Sequence, residues 1–148
     1  RKNDCGKPYL VSHAVEFSLT HAAYYAACAL DTSSVGLDLE APRITMAVAN
    51  RCFHPTELTF LKSLPEPEQP DALLRLWTIK EAYTKQLGSG LHIPLDSFYA
   101  DLRENGLYLY KDSRRIPVRL HEYRLGSLRL CLCSNSVRPE ITQFIPNL

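Results

Sequence analysis

Leu76-Trp77-Thr78-Ile79-Lys80-Glu81-Ala82-Tyr83-Thr84-Lys85-Gln86-Leu87-Gly88-Ser89-Gly90-Leu91 is the stretch from which the fold follows. Leu73, Leu76, Trp77, Ile79, Ala82, Tyr83 and Leu87 recur at three- and four-residue spacing, which predicts a helix from near Asp71 that stops at Gly88. Its apolar residues suit the interior. Three long charged side chains, Lys80, Glu81 and Lys85, sit on it, and Glu81 and Lys85 lie one turn apart on a face shared with Trp77. An acid and a base beside a tryptophan suggest the wall of a cleft; the plainer alternative is a helix-stabilising Glu-Lys pair.

Upstream, Val35-Gly36-Leu37-Asp38-Leu39-Glu40 alternates as a strand does. Val35, Leu37 and Leu39 share one face and Asp38 and Glu40 the other. Two carboxylates on one face, about 7 Å apart at the backbone, repel each other unless they face water or share a cation. Glu81 adds a third oxygen ligand, and a set of three carboxylates suits Mg²⁺, a hard cation that also takes waters and substrate phosphates. Asp-x-Glu alone is a weak signal, since any half-exposed strand can carry it.

With 148 residues, 45% apolar and 22% charged, the chain is the size of one modest domain, 1–148. Its 17 basic and 16 acidic residues leave a net charge of +1, so bulk electrostatics favour neither nucleic acid nor a membrane surface. No apolar run reaches transmembrane length and no signal peptide opens the chain. A soluble protein is expected. Five cysteines, an odd number without a Cys-x-x-Cys pair, suit a reducing, cytoplasmic setting with structural thiols, Cys28 among the core residues. Cys131 and Cys133 face one way from a strand but lack the histidines of a zinc site.

The remaining elements follow from local signals. Residues 15–20 and 23–30 form strands on either side of Thr20-His21, and 44–51 a short helix after Ala41-Pro42-Arg43. Pro55 opens another helix with Leu58, Phe60, Leu61 and Leu64 on its apolar face; Glu57 there either caps the free N–H groups or faces the carboxylates. Pro65 to Asp71 is an acidic, proline-rich loop. Leu95–Asp101 and Leu107–Lys111 pair across Asn105-Gly106, and Ile116–Tyr123 and Leu128–Ser134 pair around Gly126. The fold class is α+β, antiparallel strands packed against two longer helices.

Gly6-Lys7-Pro8, Phe17-Ser18-Leu19-Thr20-His21, the Val35–Glu40 strand, Phe53-His54-Pro55-Thr56-Glu57 and Trp77-Thr78-Ile79-Lys80-Glu81-Ala82-Tyr83-Thr84-Lys85 occur in this order over essentially the whole chain. Together they resemble the 4'-phosphopantetheinyl transferase superfamily, in its larger Sfp-like type. The resemblance implies a Mg²⁺-dependent holo-[acyl-carrier-protein] synthase. Such an enzyme moves the 4'-phosphopantetheine group of coenzyme A to a serine of an apo acyl or peptidyl carrier protein and releases adenosine 3',5'-bisphosphate. By resemblance Asp38, Glu40 and Glu81 hold the metal, and Lys7, Thr20, His21 and Lys85 bind the cofactor phosphates. Glu81, Lys85 and Lys80 are the catalytic candidates. Threonine at Thr20 departs from the family's usual serine before this histidine, keeping the hydroxyl and adding a methyl group.

Sfp-like enzymes consist of two related halves with coenzyme A between them, so 1–148 is expected to be the second half of that pseudo-twofold fold with its connecting segment. On that view the N-terminal half is absent and the isolated segment is expected to be weakly active or inactive. One alternative is an inactive carrier-protein-binding domain of a larger synthase. Another is a Mg²⁺-dependent nucleotide hydrolase, but Gly88-Ser89-Gly90 follows a helix, whereas a phosphate loop precedes one.

Overall fold

Helix α3 (Gln69–Leu87) is the beam on which the other elements lie. The computed structural model describes residues 1–11, 15–89, 93–102, 106–135 and 139. Within them the strands form three antiparallel sheets. The first pairs β1 (Glu16–Ala22) with β2 (Tyr25–Asp31). A second has the order β3 (Gly36–Glu40), β8 (Leu128–Ser134), β7 (Arg119–Leu125), and the third runs β4 (Tyr99–Asp101), β5 (Tyr108–Lys111), β6 (Arg114–Arg115). Short α1 (Met46–Cys52) and the longer α2 (Pro55–Ser63) complete the α+β architecture expected from the sequence.

The stripe on α3 buries Leu73, Leu76, Ile79, Ala82 and Tyr83 in one core with Leu61, Phe98, Leu109, Cys131 and Cys133. A leucine side chain taken fully out of water in this way contributes about 2 kcal/mol. The helix ends where glycine permits: Gly88 adopts φ 68°, and its N–H caps the carbonyls of Thr84 and Lys85. Its start is earlier than Asp71, because Pro70 occupies the first turn, where its missing N–H removes no helical bond. The acidic loop shrinks accordingly, and Glu66–Glu68 forms a 3₁₀ turn.

Ion pairs tie α3 to the sheet. Arg75 donates to both oxygens of Glu122 on β7, at 2.7 and 2.5 Å, and Arg129 on β8 pairs with Asp71.

Several boundaries differ from expectation. The β1–β2 turn falls at Ala23-Tyr24, with Ala23 at φ 52°, so Thr20 and His21 are both strand residues on opposite faces. Leu95–Ser97 is a 3₁₀ turn after Pro94, and only Tyr99–Asp101 pairs with β5. The expected turn residue Asn105 lies outside the described residues. Cys28 is exposed, because the outer face of the two-stranded β1–β2 sheet carries no further layer among the described residues. No helix among the described residues is long and apolar enough to cross a membrane.

Candidate active site

Strand β3 lies flush on α3 because Gly36 has no side chain. A Cβ built there would fall 1.9 Å from the Ala82 carbonyl oxygen and 2.3 Å from the Gln86 nitrogen. Alternation along the strand then turns Asp38 toward the same helix. Lys85 Nζ meets Asp38 Oδ1 at 2.6 Å, with the Asp38 side chain 4% exposed and that of Lys85 32% exposed.

On its other side β3 is stitched to β1 through side chains. Ser18 Oγ accepts from Leu37 N at 2.9 Å and Thr20 Oγ1 accepts from Leu39 N at 3.0 Å. Thr20 is also 3.4 Å from both Asp38 Oδ1 and Lys85 Nζ, so it props the ion pair. The motif drew attention to Thr20 and passed over Ser18. The signal for Ser18 was alternation, which puts the two hydroxyls on one face of β1 and Phe17, Leu19 and His21 on the other.

Burial raises the Asp38 carboxyl above its ordinary value even against the Lys85 charge. Burial, followed by the charge of Asp38, also pushes Glu81 up, with a smaller contribution from Glu40. The three expected carboxylates therefore share one electrostatic neighbourhood. Asp38 Oδ2 and Glu40 Oε2 are buried and accept no hydrogen bond among the described residues, although Arg43 Nη2 stands 3.2 Å from Glu40 Oε2. The unpartnered Asp38 Oδ2 beside the Glu40 carboxylate suits a hard cation, which needs only one or two carboxylates besides waters and phosphate oxygens. No three His, Cys, Asp or Glu side chains among the described residues are gathered closely enough to cage one, and Asp38 is engaged by Lys85.

Beside the cluster is a cavity of about 260 Å³ lined by Lys7, Phe17, Leu19, Glu81, Thr84 and Lys85, among others. Its walls combine apolar β1 residues with two lysines and a carboxylate, a combination that can hold a phosphorylated ligand with an apolar portion.

Other expected residues lie differently. Lys80 is fully buried: Nζ donates to Glu57 Oε1 and Oε2 at 2.8 and 2.7 Å and to the Phe98 carbonyl at 2.7 Å. All three ammonium donors are used, and the amine also lies 4.3 Å from the Phe98 ring centroid. Burial lowers its pKa despite Glu57. Lys80 is thus corrected from catalytic candidate to core fastener. The spacing held the clue, because Lys80 follows Leu76 by one turn and so falls inside the apolar stripe.

Glu57 serves the cap. Its Oε2 accepts from His54 N at 3.0 Å, while His54 Nδ1 accepts from Thr56 N at 3.1 Å, a capping box with an imidazole in place of a hydroxyl. Glu57 Oε1 also accepts from Ala100 N at 2.9 Å. The alternative in which Glu57 faces the other carboxylates gives way to this set of bonds.

Lys7 borders the cavity, but its Nζ donates to the Val35 and Gln86 carbonyls at 3.1 and 3.2 Å. Burial lowers its pKa. Here Lys7 braces the end of α3, assisted by Asn3 Nδ2, which donates to the Gly88 carbonyl at 2.8 Å. Thr20 points inward and His21 is exposed, so the two do not form one contact pair as the resemblance implied.

The chain is similar to known proteins of one family. Residues 34–133 match the family model described as the 4'-phosphopantetheinyl transferase superfamily. The chain is 34% identical over 134 residues to the 4'-phosphopantetheinyl transferase gsp of Aneurinibacillus migulanus, covering 90% of this chain and 56% of that protein. It is 37% identical over 91 residues to the 4'-phosphopantetheinyl transferase Sfp of Bacillus subtilis strain 168, covering 61% and 41%. The chain thus spans about half the length of the curated relatives it matches. Its fold is similar to a holo-(acyl-carrier-protein) synthase from Bacillus anthracis in complex with CoA, with a TM-score of 0.57 at 19% identity, covering 68% of this chain and 92% of that one.

Proposed function

The chain belongs to the 4'-phosphopantetheinyl transferase superfamily, and from that premise we propose that its Asp38, Glu40, Glu81 and Lys85 cluster serves transfer of 4'-phosphopantetheine from coenzyme A to a carrier-protein serine. The observation that carries this reading is the Asp38–Lys85 ion pair set between the unpartnered second Asp38 oxygen and a lysine-bearing cavity.

In the proposed reaction the serine oxygen bonds to the phosphorus that carries the pantetheine arm. The bond from that phosphorus to the adenosine 3',5'-bisphosphate oxygen breaks, and the serine proton leaves for a base. Lys85, which lines the cavity, would make a charge-assisted contact with the phosphate under attack. Glu81, partly buried and lining the cavity, would accept the serine proton with an oxygen not committed to the cation. Asp38, Glu40 and Glu81 would hold Mg²⁺, which supplies charge neutralisation on the pyrophosphate. His21, exposed on β1, would contact a cofactor phosphate, and Phe17 and Leu19, which line the cavity, would meet the apolar part of the ligand. Residues 1–148 act in this reading as one transferase domain, a half of the pseudo-twofold fold, in a cytoplasmic protein.

Titration of coenzyme A by calorimetry, with and without Mg²⁺, tests the assignment. Wild-type protein is expected to bind more tightly with Mg²⁺, and Asp38→Ala to lose that enhancement. An enhancement of equal size in both proteins contradicts it.

A further inference from the structure

Asp38 is a ligand candidate that already has a cation. Lys85 Nζ occupies Asp38 Oδ1 at 2.6 Å, with Thr20 Oγ1 within 3.4 Å of both. The second Asp38 oxygen is buried and accepts no hydrogen bond among the described residues, and Glu40 Oε2, also buried, has only the exposed Arg43 guanidinium at 3.2 Å beside it. Glu81 precedes Lys85 by one helical turn. A divalent ion drawn to this group would meet an ammonium on the same carboxylate, and two cations that close repel. Lys85 has somewhere to go: its side chain is 32% exposed and lines the cavity beside Lys7 and Thr84.

We propose that Lys85 is the resident counter-ion of Asp38, and that a divalent cation arriving at the carboxylates displaces its ammonium into the cavity, where it becomes available to a phosphate. This rests on the metal reading of the cluster given above. The lysine then has two states, neutralising Asp38 in one and facing the ligand in the other, and cation binding selects between them. The exchange orders events: Lys85 is released to the phosphate only after the carboxylates have gained the divalent charge. It also keeps a buried carboxylate from standing uncompensated before the metal arrives.

The test uses the full chain without coenzyme A. Mn²⁺ binding followed by electron paramagnetic resonance should be about tenfold tighter in Lys85→Met than in wild type, the size of an ordinary coupling between two ligands. In wild-type protein labelled with ¹⁵N-lysine, saturating Mg²⁺ should shift the Lys85 Nζ resonance away from its carboxylate-bonded position, a readout that needs no variant to fold. A Lys85 resonance unchanged at saturating Mg²⁺, or equal Mn²⁺ affinity in the two proteins, overturns the exchange while leaving the metal site in place. Failure of both proteins to bind Mn²⁺ overturns the exchange, while the metal reading stands or falls separately on the coenzyme A titration with and without Mg²⁺.

Discussion

Gly36 and Ala82 touch backbone to backbone: a Cβ on Gly36 would lie 1.9 Å from the Ala82 carbonyl oxygen. That contact sets the spacing of β3 from α3, and through it the 2.6 Å separation of Asp38 and Lys85. Gly36→Ala must push strand and helix apart, since neither obstacle is the far end of a flexible side chain. The expected cost is about 3 kcal/mol, read by urea unfolding. The altered spacing should also weaken the Asp38–Lys85 pair in whatever fraction folds. Wild-type stability in Gly36→Ala would contradict the close approach.

Lys80 and Glu57 give a stability prediction where catalysis was expected from the sequence. Lys80→Met leaves the buried Glu57 carboxylate without its cation, and breaking such a pair costs about 3–5 kcal/mol. Glu57→Gln combined with Lys80→Met should lose much less than the sum of the single losses, since no buried charge is stranded and the glutamine oxygen still accepts a hydrogen bond. Urea unfolding of the four proteins completes the cycle. Additive losses would show that the two side chains do not act as a pair.

How far the sequence could be read follows the reach of each signal. Helix α3, its glycine stop and the β7–β8 hairpin were legible because periodicity and turn residues are local. That Asp38 and Glu40 share the face of β3 turned to α3 was legible because alternation sets that face. Lys80 was misread because a motif directed attention to its charge, while its burial depends on Glu57, 23 residues away, and on the Phe98 carbonyl. The bracing contacts of Lys7 were hidden for a related reason, since its acceptors are backbone carbonyls of Val35 and Gln86, which no residue identity announces. The hydroxyl stitching of Ser18 and Thr20 to β3 likewise exists only once two elements meet.

Cys131 and Cys133 supply the pH dependence. Burial pushes the Cys133 thiol up to about 12 and Cys131 well above the ordinary thiol value. The Cys133 thiol also donates to Gln86 Oε1 at 3.2 Å. A folded-state pKa above the unfolded value means that the folded chain holds these protons more tightly. The Cys133 contribution to stability is complete below the ordinary value of 9.0 and is lost as pH rises through about 12, and that of Cys131 runs in the same direction. Urea midpoints should therefore fall across that alkaline range. At pH 8 iodoacetamide should label the exposed Cys5 and Cys28 in the native protein and reach Cys131 and Cys133 only after unfolding. Native labelling of Cys133 at the rate of Cys5 would contradict its burial.

The central claim is that the Asp38, Glu40, Glu81 and Lys85 cluster performs phosphopantetheine transfer, and a single-turnover measurement tests it most directly. Protein in excess over an apo carrier protein is incubated with coenzyme A and Mg²⁺, so that even slow transfer registers, and the carrier is followed by intact mass. Wild type is expected to add one phosphopantetheine to the carrier serine, Asp38→Ala to add none, and Lys85→Met to be slowed at least about a hundredfold, the scale of losing one preorganised charge at the reacting centre. A carrier left unmodified by wild type, or modified at the same rate by wild type and Asp38→Ala, would contradict the account.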